Sequence, residues 1–166
     1  MSAQVNGLKQ GERIVYPAHG VGVIEGVEKV KTNGTSTSFY TIRIGESGMT
    51  IRVAAPSAPR IGIRPVIKQN EVAKLFRLLR AKSKNANGQN WHKRQKTYLD
   101  KIKSGSVFEL AEILKELTAI QSKKELSFGE QRMYENVRQL ISLEVAESKG
   151  IGREQADKLL DKAITA

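Results

Sequence analysis

A chain of 166 residues, 39% hydrophobic and 27% charged, has room for one ordinary domain or two small ones and enough apolar content to fold. It contains no cysteine, which removes disulfides, thiolate metal sites and cysteine nucleophiles. No apolar run has the length to cross a bilayer and the first residues lack the apolar core of a secretory signal, so a cytoplasmic location is expected.

The formal charge of +11 is unevenly placed: 8 basic against 4 acidic residues from Met1 to Ile67, 11 against 2 from Lys68 to Lys103, and 9 against 11 from Ser104 to Ala166. A cationic block in one short window suits a polyanion, because neutralising phosphates releases their condensed counterions. A solvated helix face is the plainer account of the same charges, and charge alone does not separate DNA, RNA and acidic membrane.

From residue 11 to 67 the chain reads as β. RIVYP, GVGVIEGVEKV, SFYTIRI and MTIRV are short runs rich in Val, Ile, Tyr, Phe and Thr, divided by turn signals. Asn33-Gly34 predicts a tight hairpin, since both residues tolerate positive φ; Gly45 to Gly48 predicts a second turn. In MTIRV, Met49, Ile51 and Val53 share one face while Thr50 and Arg52 share the other. Short antiparallel strands with tight turns predict a small SH3-like or Tudor-like barrel. Ala54 to Pro65, with three of the four prolines, is expected to be an irregular edge or linker.

Beyond it the pattern turns helical. Val72, Leu75, Phe76 and Leu79 follow a helical repeat, with Asn70 placed to cap, and AKSKNANG breaks it. A helix from about Asn90 to Lys103 carries Trp91, Tyr98, Leu99 and Ile102 near one face and ends at Ser104-Gly105. Ser106 with Glu109 and Ser127 with Glu130 are two candidate capping boxes, opening helices that carry Val107, Leu110, Leu114 and Leu117, and Met133, Val137, Leu140, Ile141 and Val145. Gly150 is a stop, and a last helix from about Arg153 uses Ala156, Leu159, Leu160 and Ile164. The expected fold is therefore α+β with two domains: a β domain over residues 1–67 and a compact helical domain over 68–166.

Nothing in this pattern carries catalysis. His19 and His92 lie in different domains without metal-ligand spacing, and the acidic residues recur at amphipathic intervals. The glycines of AHGVGVIEG lie between strands, with no following helix to receive a phosphate. QNWHKRQKTYLDKIK is different. The only tryptophan opens a helix and is followed by His92, Lys93, Arg94 and Lys96, although the helix dipole disfavours cations in the first turn. Phosphate contact would explain them, with the indole wedged against a base step or stacked on an unpaired base. Equally, Trp91 can anchor its helix in the core; the residues alone leave both open. Arg52 is either a partner-pairing guanidinium or an ordinary exposed strand residue.

GERIVYPAHGVGVIEG, MTIRV and NWHKRQK, in this order and spacing, closely resemble the CarD/CdnL family of bacterial transcription regulators, and the likeness continues through LSFGEQRM to about Ser148. The VYPAHGVGVIEG block is shared with the polymerase-interacting module of the transcription-repair coupling factor; NWHKRQK points to CarD/CdnL itself. The resemblance implies a Tudor-like barrel that docks on the β subunit of RNA polymerase through Arg52 and the Lys29 to Lys31 region. Val30 stands where some relatives have arginine, which leaves Lys29 or Lys31 as substitutes. It further implies a helical domain at the upstream edge of promoter DNA's transcription bubble, with Trp91 as wedge in the minor groove and Lys93, Arg94 and Lys96 on the backbone. Gln131 occupies a further position that is basic in relatives.

The implied function is stabilisation of the open complex without sequence-specific readout. A monomer is expected, since no heptad seam appears, with no cofactor, metal or membrane involved. Two other readings compete: an RNA- or ribosome-associated basic protein, and a nucleic-acid enzyme using His19 or His92.

Overall fold

The computed structural model describes residues 8–45, 48–81 and 90–165, which divide into two compact units, the first ending at Val66 and the second beginning at Ile67. The predicted break over AKSKNANG lies almost wholly outside the described residues, as do Glu46 and Ser47 of the second turn.

In the first unit β1 (Arg13–Tyr16), β2 (Gly20–Thr32), β3 (Thr35–Ile44), β4 (Met49–Ala54) and β5 (Arg64–Pro65) form an antiparallel sheet in the order β4-β3-β2-β1-β5. The β2–β3 hairpin closes as predicted, with φ of 52° at Asn33 and 80° at Gly34, between the paired Thr32 and Thr35. Ile24, Tyr40, Ile42 and Val53 fill the core on one face of the sheet. Gly22 is required where β2 crosses β3, because a Cβ there would lie 2.9 Å from the Arg43 carbonyl oxygen.

A single irregularity in β2 sets the faces further along. The pairing shifts between Ile24 and Gly26, so Glu25 is an extra residue. A one-residue bulge exchanges the two faces of the strand downstream of it. Before it the odd-numbered residues face away from the core; after it Glu28 and Val30 do, opposite Phe39 and Thr37.

The proline-rich stretch is no linker. Ala55–Ser57 forms a 3-10 turn and Ala58–Ile61 a short helix, α1, before β5 adds the sheet's outermost strand. Pro56 and Pro59 sit in the first turns of these elements, where a missing N–H costs nothing, and Pro65 lies on an edge strand. Ala55, Ala58 and Ile63 are buried with the sheet core.

The second unit packs α2 (Gln69–Arg80), α3 (Trp91–Ser104), α4 (Val107–Gln121), α5 (Phe128–Lys149) and α6 (Arg153–Thr165) around Leu75, Ile113, Leu114, Leu117, Ile141 and Leu160. The helices follow the apolar repeats, but several ends and faces differ. Lys68 rather than Asn70 is the cap residue of α2, its amide reaching Glu71 Oε1 at 3.4 Å. Leu99 and Leu159 stay exposed, at 43% and 37%. Of the two candidate capping boxes only Ser127–Glu130 closes, with Glu130 N to Ser127 Oγ at 3.2 Å and Ser127 N to Glu130 Oε1 at 3.0 Å. The Ser106 side chain caps nothing, and Glu109 instead lies 3.7 Å from Lys101 Nζ. Among the described residues no helix is long and apolar enough to cross a membrane.

Candidate interaction sites

On the sheet face away from the core, β3 presents Phe39 and Thr41, and β4 places Arg52 directly opposite Thr41. The Arg52 guanidinium carbon sits 4.6 Å from the centre of the Phe39 ring, and one guanidinium nitrogen donates to Glu28 Oε2 at 3.0 Å. Both charged side chains remain open to water, at 53% and 64%. An exposed pair of this kind contributes about 0–1 kcal/mol, so the guanidinium exchanges one carboxylate for another at little cost. The alternation read in MTIRV therefore holds for Arg52. Lys29 and Lys31 are exposed as well, but they pair with Ser38 and Ser36 and so lie on the opposite face. The bulge at Glu25 is the reason: an uninterrupted alternation would have carried them round to Arg52. Within the stretch from Lys29 to Lys31 the residue that shares the Arg52 face is Val30, opposite Thr37.

In the helical unit the first turn of α3 meets the first turn of α5. Asn90 caps α3 by accepting from Lys93 N at 3.0 Å. Trp91 follows, half-buried, with its ring edge-on to Tyr98 at 6.3 Å. Its indole lies against the backbone of α5: a Cβ added to Gly129 would stand 3.0 Å from Nε1, 3.2 Å from Cζ2 and 3.3 Å from Cε2. Glycine admits this approach without strain, whereas a Cβ would make the ring give by a few tenths of an ångström.

Arg94 braces the other side of this corner. Its guanidinium lies 5.6 Å from the Trp91 ring and donates to Glu130 Oε2 at 2.8 Å, with side-chain exposures of 11% and 4%. Burial pushes the Glu130 carboxyl up, but the Ser127 amide and the Arg94 guanidinium outweigh it and hold Glu130 below the ordinary value of 4.5. For Arg94 burial works against the charge, and hydrogen bonds with Glu130 and Tyr98 reverse that and keep it firmly cationic. Tyr98 is itself pushed up, first by burial and then by its 2.7 Å bond to Glu116. Arg94, grouped by sequence with Lys93 and Lys96, is thus drawn inward as a brace, and a phosphate would have to compete with Glu130 for it. Lys93 and Lys96 point to solvent, with no carboxylate paired to either among the described residues. Gln131 donates to Glu135 Oε1 at 3.1 Å.

The same corner opens into a groove of about 520 Å³ between α3 and α5, lined by Trp91 and Gln95 from the one and by Phe128, Arg132 and Asn136 from the other. Phe128 is 79% exposed, the most exposed large apolar side chain among the described residues, and Arg132 lies 5.8 Å from its ring. Sequence reasoning passed over Phe128, Gly129 and Arg132 and used Glu130 only as a cap. A signal was present: Phe128, Arg132 and Asn136 share a row at four-residue spacing, out of phase with the buried Met133, Val137 and Leu140.

Residues 8–67 match the CarD-like/TRCF RID domain, and residues 74–161 match the domain described as CarD, C-terminal domain. The chain is similar to a protein of Bacillus subtilis (strain 168) described as "Putative transcription factor YdeB", with 30% identity over 150 residues, covering 87% of this chain and 94% of that protein.

Proposed function

The chain belongs to the CarD family, and we propose on that footing that it is a transcription factor, not an enzyme, that docks on the RNA polymerase β subunit and holds opened promoter DNA at the upstream edge of the bubble. The match of residues 8–67 to the CarD-like/TRCF RID domain supports the polymerase half, with Arg52 on Phe39 as its contact. The observation that carries the DNA half is the half-buried Trp91, fixed at the start of a helix and flanked by the exposed Lys93 and Lys96.

Docking on polymerase raises the effective concentration of the helical unit at DNA, so its own affinity for the duplex can be weak. Lys93 and Lys96 hold phosphates, which positions the unit without reading sequence. The indole then enters the minor groove where base pairs are already parted and unstacking costs least. The protein favours opening only to the extent that it binds the open promoter better than the closed one. Trp91→Ala should keep polymerase binding while shortening the open-complex lifetime by roughly tenfold, which is about 1.4 kcal/mol of differential binding. Purified polymerase and a fluorescent promoter measure this directly; a wild-type lifetime in the variant would end the wedge reading.

A further inference from the structure

Resting on the promoter-DNA reading, we propose that the groove between α3 and α5 receives one unpaired nucleobase of the opened strand, with Arg132 taking the adjoining phosphate. The groove, at about 520 Å³, is of the size of ordinary small-molecule sites, which run from roughly 300 to 1,000 Å³. Its chemistry narrows the occupant. Phe128 and Trp91 offer aromatic faces, and a base stacks on either whatever its identity. Gln95 from α3 and Asn136 from α5 line the groove with exposed amides that have no hydrogen-bond partner among the described residues. Each amide carries a donor and an acceptor, the pattern that base edges present. An apolar peptide side chain would leave both amides without partners. Arg132 is exposed and has no carboxylate paired to it among the described residues, so the charge at the mouth suits a phosphate.

Position agrees with composition. The groove begins at the indole itself, so a base parted by the wedge lies next to the place that would hold it. Phe128, otherwise an exposed aromatic with no partner but Arg132 among the described residues, then acquires a surface to cover it.

The full chain is titrated at one stated low salt with three DNAs: a blunt duplex, a duplex ending in a single-stranded fork, and that fork with an abasic site at the first unpaired position. The labelled DNA reports binding by anisotropy, and Trp91, the only tryptophan, reports the groove by its fluorescence. The intact fork should bind about tenfold more tightly than the abasic fork, the low end of a base-on-aromatic stack. Phe128→Ala and Asn136→Ala should each pull that ratio towards one; both side chains are exposed, so neither change threatens the fold. Equal binding of the two forks, or a ratio that survives both substitutions, overturns the groove. Failure to bind any of the three DNAs overturns it too, and if Trp91→Ala also leaves open complexes untouched, the DNA reading falls with it. Duplex binding without dependence on the base sinks the groove alone.

Discussion

Each unit holds an arginine that stacks on an aromatic ring and reaches a glutamate: Arg52 with Phe39 and Glu28 on the sheet, Arg94 with Trp91 and Glu130 between two helices. The donor distances are alike, 3.0 Å and 2.8 Å, and burial separates them. On the sheet the pair is more than half exposed, so its Coulomb energy is screened and the arginine is available to an incoming carboxylate. Between the helices both groups are nearly sealed, so the arginine belongs to the fold and braces the half-buried ring beside it. The same three side-chain types thus leave the cation accessible in one unit and lock it into the packing in the other.

The sharpest way to break this contrast is to make one change in both places. Arg94→Met strands the Glu130 carboxylate without its cation and should cost about 3–5 kcal/mol in denaturant unfolding. Arg52→Met should cost less than about 1 kcal/mol. Similar losses would mean that burial does not distinguish the two pairs. Next in size is Arg52→Glu, which sets like charge against a partner carboxylate. It should weaken polymerase binding by roughly thirtyfold or more, as for a contact worth about 2 kcal/mol, with the Trp91 emission unchanged. Unaltered affinity for the β subunit would remove Arg52 from the interface.

Acid sharpens the helical half. Because Glu130 is held below 4.5 in the folded chain, its share of the stability is complete above that value and fades as pH falls through the lowered one. In Arg94→Met the buried carboxyl loses its cation, and its protonation relieves the variant. The stability gap between wild type and Arg94→Met should therefore narrow as pH drops below about 4.5. A gap constant from pH 7 to pH 3.5 would mean that lost packing, not lost charge pairing, sets the cost.

Smaller still is Gly129→Ala. The new methyl stands 3.0 Å from the indole nitrogen, so the ring must move by a few tenths of an ångström, whereas the helix backbone accepts alanine readily. Open-complex lifetime should fall by about threefold with unfolding stability nearly unchanged; a parallel loss of both would make Gly129 a matter of folding alone.

What the sequence showed and concealed follows from which interactions are local. Strand alternation placed Arg52, and Asn33-Gly34 marked a turn whose positive φ values only such residues adopt readily. That Lys29 and Lys31 lie on the face opposite Arg52 was not legible, because the bulge at Glu25 is a property of pairing with β3 and leaves no mark in the alternation of β2 itself. The two S-x-x-E patterns look identical, yet Glu109 turns to Lys101 while Glu130 serves Ser127 with one oxygen and Arg94 with the other. Prolines that read as breakers start helical turns in α1 and the turn before it. The Trp91 corner was half legible: its residue types left a contact and a core anchor equally open, and the closeness to Gly129 and the inward turn of Arg94 depend on a helix some forty residues away in the chain.

The smallest effect tests what remains once Arg94 is counted with the fold. If Lys93 and Lys96 hold phosphate beside the indole, each neutralised lysine should remove about one unit from the slope of log affinity against log salt and cost the same on every DNA sequence. Lys93→Gln and Lys96→Gln together should therefore flatten the salt dependence of DNA binding by about two units, measured on a single fork across several salt concentrations. Arg94→Met made together with Glu130→Gln, which removes both charges of the buried pair and strands neither, should leave the slope where it was. If that double change flattens the slope as much as losing either exposed lysine does, then Arg94 leaves Glu130 for phosphate when DNA arrives, and the buried pair is a latch rather than a brace.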